Sequence, residues 1–386
     1  MKVLLVNNFN HNLLVGGVEN YLVELLKYNN SINSEIEFYW YGKDSKETNW
    51  LQKFYNSTTT SEIKKIIDTF KPDLIHCFGV GAPVTPHFMY YAQKKKIPVL
   101  QSFRDYYYVC PKNFMLKDNG EIVQNHTSYI ECILHHQPKK NILYDSFLAL
   151  KHAYHKQILK KNVTHFLTPS IAVTTAIEKH LKLKGETLPN PSLLNLSNET
   201  MLAEDYILYV GRLDVEKGVA TLLKALEKVS KKFTKEKLLI VGNGNEKKDL
   251  IAFKEKNNLT NVEFLGSKNR EELSTLYAKA KFVVVPSEFL ESYGNVILEA
   301  FAFGKTVVIS DLLGLKNEVE HYETGIIFPF GNIEKLVDAI QILLENTSYK
   351  KQLEQNAKQY VATKTMKNHF EKLQSIYAQV IENNQI

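Results

Sequence analysis

Three cysteines in 386 residues are too few for a disulfide framework. Cys77, Cys110 and Cys132 show no Cys-x-x-Cys spacing, so we expect no metal site, even with His126, His135 and His136 close to the last two. Long apolar runs are also missing. None reaches the roughly eighteen residues that a membrane helix needs. The opening Met1-Lys-Val-Leu-Leu-Val-Asn-Asn breaks into asparagines soon after it starts, which reads as a first strand and not as a signal peptide. The low cysteine use fits a reducing compartment, so the expected location is cytoplasmic. Charge of one sign does not dominate: the net charge of +6 comes with no recognised nucleic-acid motif, and nucleic acid is not an expected partner.

What the chain does have is alternation. Apolar strand-like runs occur at residues 2–6, 36–40, 74–77, 99–101 and 165–167, and Gly17 to Tyr28 shows helical spacing. Residues 192–204 are rich in Asn and Ser, a linker signal. Beyond them the pattern restarts, with runs at 207–210, 237–241, 262–264, 282–285, 306–309 and 325–328. Strands alternating with helices predict parallel sheets covered on both faces. The expected fold is α/β, with two Rossmann-like domains: residues 1–190, a linker over 191–204, and residues 205–365, with a cleft between the domains.

Two loops carry the chemistry. One follows the run at 282–285 and holds Pro286-Ser-Glu-Phe-Leu-Glu291-Ser-Tyr293-Gly294-Asn295, ahead of a helical stretch over 296–303 containing Glu299. A helix starting near Asn295 turns free N–H groups towards a bound anion. Glu291 and Glu299 then offer one carboxylate to a sugar and one to ribose hydroxyls. The other loop is Val210-Gly-Arg212-Leu-Asp-Val-Glu-Lys217-Gly218, between a strand and a helix. Arginine can fork onto two phosphate oxygens, and lysine adds a compact second charge. A third loop, Val241-Gly242-Asn-Gly-Asn, lacks the glycine spacing of a dinucleotide fingerprint.

The pairing of Val-Gly-Arg-Leu-x-x-Glu-Lys-Gly with Pro-Ser-x-x-Glu-x7-Glu-Ala resembles glycosyltransferase family 4, the retaining transferases of the GT-B fold. The likeness is dense over residues 204–340 and looser over 1–190, where Gly16-Gly17, the Arg104-Asp105-Tyr106 block and Pro169-Ser170 follow in order. The resemblance implies a nucleotide diphosphate sugar as donor. It gives Arg212 and Lys217 the diphosphate, Glu299 the ribose and Glu291 the donor hexose. Backbone at Tyr293, Gly294 and Asn295 would cradle phosphate or sugar, Gly242 would lie near the nucleotide, and Gly16 and Gly17 would form a close loop over the donor. It also implies that the final helix, 366–386, returns to the N-terminal domain. Many relatives carry histidine where this chain has Arg104, and arginine cannot act as a base near neutral pH. Its role at the donor sugar would be electrostatic or positional, and a surface pair with Asp105 is the alternative.

No Asp-x-Asp motif occurs, so two fixed cations and a helix start are expected to replace a divalent ion, with no cofactor. The acceptor implied by the family is a glycan or lipid-linked molecule, in surface polysaccharide or glycoconjugate assembly. The lysine-rich segment 139–161, interleaved with Tyr144, Phe147 and Tyr154, is an expected contact for an anionic membrane surface. Segment 114–137 is expected to be an acceptor-reading loop. Two other readings use the same nucleotide architecture: a sugar-nucleotide epimerase and a catalytically silent binding subunit.

Overall fold

The computed structural model describes residues 1–384 apart from 11, 13–15, 114, 116, 118–120, 124–128, 136–140 and 195–205. Most of the expected linker therefore lies outside the described residues. The chain forms two compact units, Met1–Pro189 with Met366–Ile386, and Asn190–Thr365.

The first unit is built on strands β1 (Lys2–Phe9), β2 (Glu37–Lys43), β3 (Leu74–Cys77), β4 (Val99–Ser102), β5 (His165–Thr168) and β6 (Gly185–Thr187). They pair in the order β2-β1-β3-β4-β5-β6, all parallel. All four residues of β3 and of β4 are buried, as expected for strands covered by helices on both faces. The strand β6 has no apolar run to announce it, and its Gly-Glu-Thr sequence joins the sheet through pairing with β5. The C-terminal helix Met366–Asn383 belongs to this unit. Phe370, Leu373, Tyr377 and Val380 recur at helical spacing and share a core with Val3, Leu5, Leu22, Leu100 and Leu167.

The second unit holds β7 (Tyr206–Val210), β8 (Lys237–Val241), β9 (Val262–Gly266), β10 (Phe282–Val285), β11 (Val307–Ser310) and β12 (Gly325–Phe328). Their order is β12-β11-β10-β7-β8-β9, again all parallel. Leu222, Leu226, Leu336 and Ile340, on the helices Val219–Val229 and Ile333–Glu345, fill the core on one face. Ile297, Leu298, Phe301 and Tyr360 fill the other.

Strand order reverses between β1 and β3 in the first sheet and between β7 and β10 in the second. Loops leaving the carboxyl ends of such neighbours diverge and open a crevice, the usual ligand position in open α/β sheets. The loop expected over 114–137 is helical at Tyr129–His135, and Ile142–Asn162 forms a long helix behind it.

Candidate active site

In the second unit both chemistry-bearing loops leave the strand pair at that reversal. The loop after β7 carries Arg212 and Lys217, and the loop after β10 carries Glu291. Glycines permit the close approach. Gly218 has φ +68, and a Cβ there would lie 2.1 Å from the carbonyl oxygen of Pro286, so the two loops touch only because the side chain is missing. Gly242 has φ +137, and its Cβ would fall 1.8 Å from the carbonyl of Gly211. That glycine is required by the protein's own backbone, whatever lies beside it.

Lys217 Nζ is ion-paired with the Glu291 carboxylate, and both side chains are largely buried. Ser287 Oγ donates to the same Glu291 oxygen at 2.8 Å, and its own carbonyl accepts from Ser310 Oγ at 2.6 Å. The Glu291 N–H donates to Leu312 O at 3.1 Å, so the loop is pinned to the strand end of β11. Arg212 is held differently. Its guanidinium pairs with Asp214 and, at 2.8 Å, with Glu216, while its side chain stays 61% exposed. Both expected phosphate-binding cations thus already sit on carboxylates of the same unit.

Gly294, at φ +99, caps the helix Asn295–Ala302. First-turn N–H groups lack intrahelical acceptors and carry the positive end of the helix dipole. Tyr293 is buried, its hydroxyl donating to Asn190 O at 3.2 Å, and Asn295 Oδ1 accepts from Asn190 Nδ2 at 2.9 Å. One turn into the helix, Glu299 accepts from the Tyr277 hydroxyl at 2.7 Å. Burial raises the pKa of its carboxyl, opposed by that hydrogen bond and by Arg270.

Residues 197–360 match the family model described as glycosyl transferases group 1. An uncharacterized glycosyltransferase of Methanocaldococcus jannaschii is 26% identical over 281 residues, covering 68% of this chain and 78% of that protein. The alpha-D-kanosaminyltransferase of Streptomyces kanamyceticus is 28% identical over 159 residues, 41% of each chain, so the match spans about two fifths of that relative. These similarities make the chain a glycosyltransferase, with the group 1 likeness lying in its second unit. Solved structures extend the likeness to the fold of both units. Sucrose-phosphate synthase from Thermosynechococcus elongatus superimposes with a TM-score of 0.72 at 18% identity, over 99% of each chain. Anabaena HepE, solved in complex with UDP and glucose, gives 0.69 at 16% identity, over 98% of this chain and 100% of that one. This glycosyltransferase has the GT-B fold.

The remaining expected site residues of the glycosyltransferase lie in the first unit. Gly16 caps the helix Gly17–Ser31 in an extended conformation, and among the described residues a Cβ there would meet only Glu19 Oε2 at 3.7 Å. Unlike Gly218 and Gly242, it is not demanded by packing among the described residues. Arg104 stacks over Tyr21, 4.5 Å from the ring centre, and over Phe78 at 5.6 Å. His369, from the C-terminal helix, donates from Nδ1 to Pro189 O at 2.9 Å, which leaves Nε2 to accept from the Tyr21 hydroxyl at 2.7 Å. Burial, and then Arg104, lower the His369 pKa to about 3, so the ring is neutral. Arg104 therefore packs on an aromatic and imidazole cluster formed by Tyr21, Phe78 and His369.

The basic segment is also different from its sequence pattern. Lys139 and Lys140 lie outside the described residues. Lys151, His152 and His155 are buried, and Asp145 is buried with Lys112 at 3.1 Å. A lysine-rich stretch is solvated only where its helix faces out, and here a good part of it faces in. Sequence reasoning missed Asp214, Glu216, Ser287 and Tyr277 as partners of the site. Asp214, Glu216 and Ser287 stood inside quoted motifs, the first two at local spacing from Arg212, but Tyr277 has no local signal.

Proposed function

We propose that this glycosyltransferase moves a hexose-type sugar from a nucleotide diphosphate sugar to a glycan or lipid-linked acceptor, with retention of anomeric configuration and without a divalent metal. The single observation that carries the reading is the meeting of Lys217 and Glu291 at the reversal of strand order, beside Arg212 and the helix start at Asn295. A donor diphosphate bound there accepts hydrogen bonds from Arg212 and Lys217. Negative charge grows on the departing phosphate as the sugar–oxygen bond breaks, and preorganised cations stabilise that state more than the ground state. Glu291, released from Lys217 when the phosphate takes its place, accepts from sugar hydroxyls. Glu299 accepts from the ribose. The acceptor hydroxyl attacks the anomeric carbon as its bond to the phosphate breaks, and we assign the acceptor's proton to the departing phosphate.

HepE was solved with UDP and with glucose, which supports a nucleotide sugar as the donor class. An epimerase would need acid and base groups facing the hexose, and Glu291 alone does not supply both. Membrane contact is a separate part of the reading. No helix among the described residues is long and apolar enough to cross a bilayer. Exposed Trp50, Leu51, Ile142 and Leu143 lie on two helices that meet where the tilted rings of Trp50 and Phe147 pack with centres 4.5 Å apart. Such side chains suit the surface of an anionic bilayer on the cytoplasmic side.

Ligand-observed binding to a panel of sugar nucleotides, with a metal chelator present, tests the donor assignment. Selective binding of one donor that is lost in Glu299→Ala supports it. No binding to any donor overturns it.

A further inference from the structure

The first unit has a crevice of its own at the β1/β3 reversal, a cavity of about 370 Å³. Asn7, Glu19, Gln101, Arg104, Tyr107 and Lys151 are among the side chains that line it. Most of its charged groups are satisfied from within. Glu19 accepts from Asn7 Nδ2 at 2.7 Å. Asp105 accepts from the Tyr107 N–H at 2.9 Å and from Asn113 at 3.3 Å. Arg104 is stacked on Tyr21 and Phe78.

Lys151 is the exception. It is 7% exposed, and its ammonium lies 5.3 Å from the centre of the Tyr107 ring. No carboxylate among the described residues pairs with it. A contrast is provided by Lys112, equally buried, which has the Asp145 carboxylate at 3.1 Å. The charge felt most by Lys151 is another cation, Lys53, so its surroundings do not neutralise it. Buried charges are ordinarily paired or hydrogen-bonded. Two further buried groups of the lining, the Tyr107 hydroxyl and Gln101 Oε1, have no hydrogen-bond partner among the described residues. An anionic oxygen would satisfy Lys151, and hydroxyl groups would satisfy Gln101 and Tyr107.

The geometry points to this cavity as a binding site for a polyhydroxy molecule carrying a phosphate or carboxylate, with Lys151 as the residue that recognises the anion. If the transferase reading holds, that molecule is the acceptor, and the acceptor is negatively charged.

Glucose, glucose 6-phosphate and glucuronate share a polyol and differ in charge, so they serve as probes of the full-length protein held at saturating UDP. The wild type is expected to bind one or both charged sugars roughly tenfold or more tightly than glucose, the range of a charge-assisted hydrogen bond. The better of the two names the anion as phosphate or carboxylate. In Lys151→Met the preference is expected to vanish, glucose binding to persist and the melting temperature not to fall, since an unpaired buried charge has been removed. Equal binding of all three by the wild type overturns the proposal, as does a charge preference that survives in Lys151→Met. UDP titrated alone into the same proteins reports separately on the donor site. If UDP does not bind while the Lys151-dependent preference is present, the anion site stands and only its identification with an acceptor falls.

Discussion

Lys217 and Glu291 are 74 residues apart in the chain and form an ion pair where β7 and β10 lie side by side. On the proposed reading, the cation for the donor phosphate is thereby held in place before the phosphate arrives, and Glu291 is held by Ser287 as well. A diphosphate bound there would exchange one anion for another around a fixed ammonium and leave little reorganisation for the chemical step.

Lys217→Ala is expected to lower turnover by roughly a hundredfold, because losing one preorganised charge contact costs about 3 kcal/mol in the transition state. Its affinity for UDP should change much less. Steady-state kinetics with the donor found by binding will check this, and near-normal turnover removes Lys217 from leaving-group stabilisation. Arg212→Ala should behave in the same way.

Glu299→Ala is expected to weaken UDP binding by about tenfold, in line with loss of a hydrogen bond to a charged group. The same variant should no longer distinguish UDP from 2′,3′-dideoxy-UDP. Because burial raises the Glu299 pKa, nucleotide affinity in the wild type should fall as pH drops and the carboxyl protonates. Calorimetry with both nucleotides measures all three effects. Unchanged UDP affinity in Glu299→Ala would refute the ribose role.

Gly242→Ala should destabilise the second unit by roughly 3 kcal/mol, through a strained backbone and a Cβ that would lie 1.8 Å from Gly211 O. Gly16→Ala, with its nearest contact at 3.7 Å, should leave stability within about 0.5 kcal/mol. Thermal unfolding of the two variants separates a glycine needed by the fold from one that the fold tolerates replacing.

Acid should weaken the first unit. Burial lowers the pKa of His87 and His155 to about 4 and of His369 to about 3, and holds His76 well below its usual range. Unfolded histidines titrate near pH 6.5, so below about 6.5 the unfolded chain binds more protons than the folded one. The stabilisation is complete above that pH and is lost as pH falls from about 6.5 towards 4, by up to about 1.4 kcal/mol per pH unit for each histidine. Both tryptophans, Trp40 and Trp50, belong to the first unit, so urea unfolding followed by their fluorescence reports on it. The midpoint at pH 5 should lie below that at pH 7, and an equal or higher midpoint contradicts the histidine account.

The sequence by itself determined the elements and the places where chemistry can sit. Apolar runs at 74–77, 237–241, 282–285 and 325–328 coincide with β3, β8, β10 and β12; β10 is apolar and buried at every residue, as a strand covered on both faces must be, while β12 is a half-buried edge strand that its apolar run still marks. Glycine and the helix start after the run at 282–285 marked the site loop for a similarly local reason. Tertiary structure decided which charges meet. That Lys217 faces Glu291 follows from strand order, which joins β10 to β7 and is not written in either segment, whereas Arg212 finds Asp214 and Glu216 within its own loop. The same holds for the first unit, where a helix rich in lysine turns Lys151, His152 and His155 inward. Periodicity is a property of neighbouring residues and survives any packing, whereas the partner of a charge is fixed only when distant strands are brought side by side.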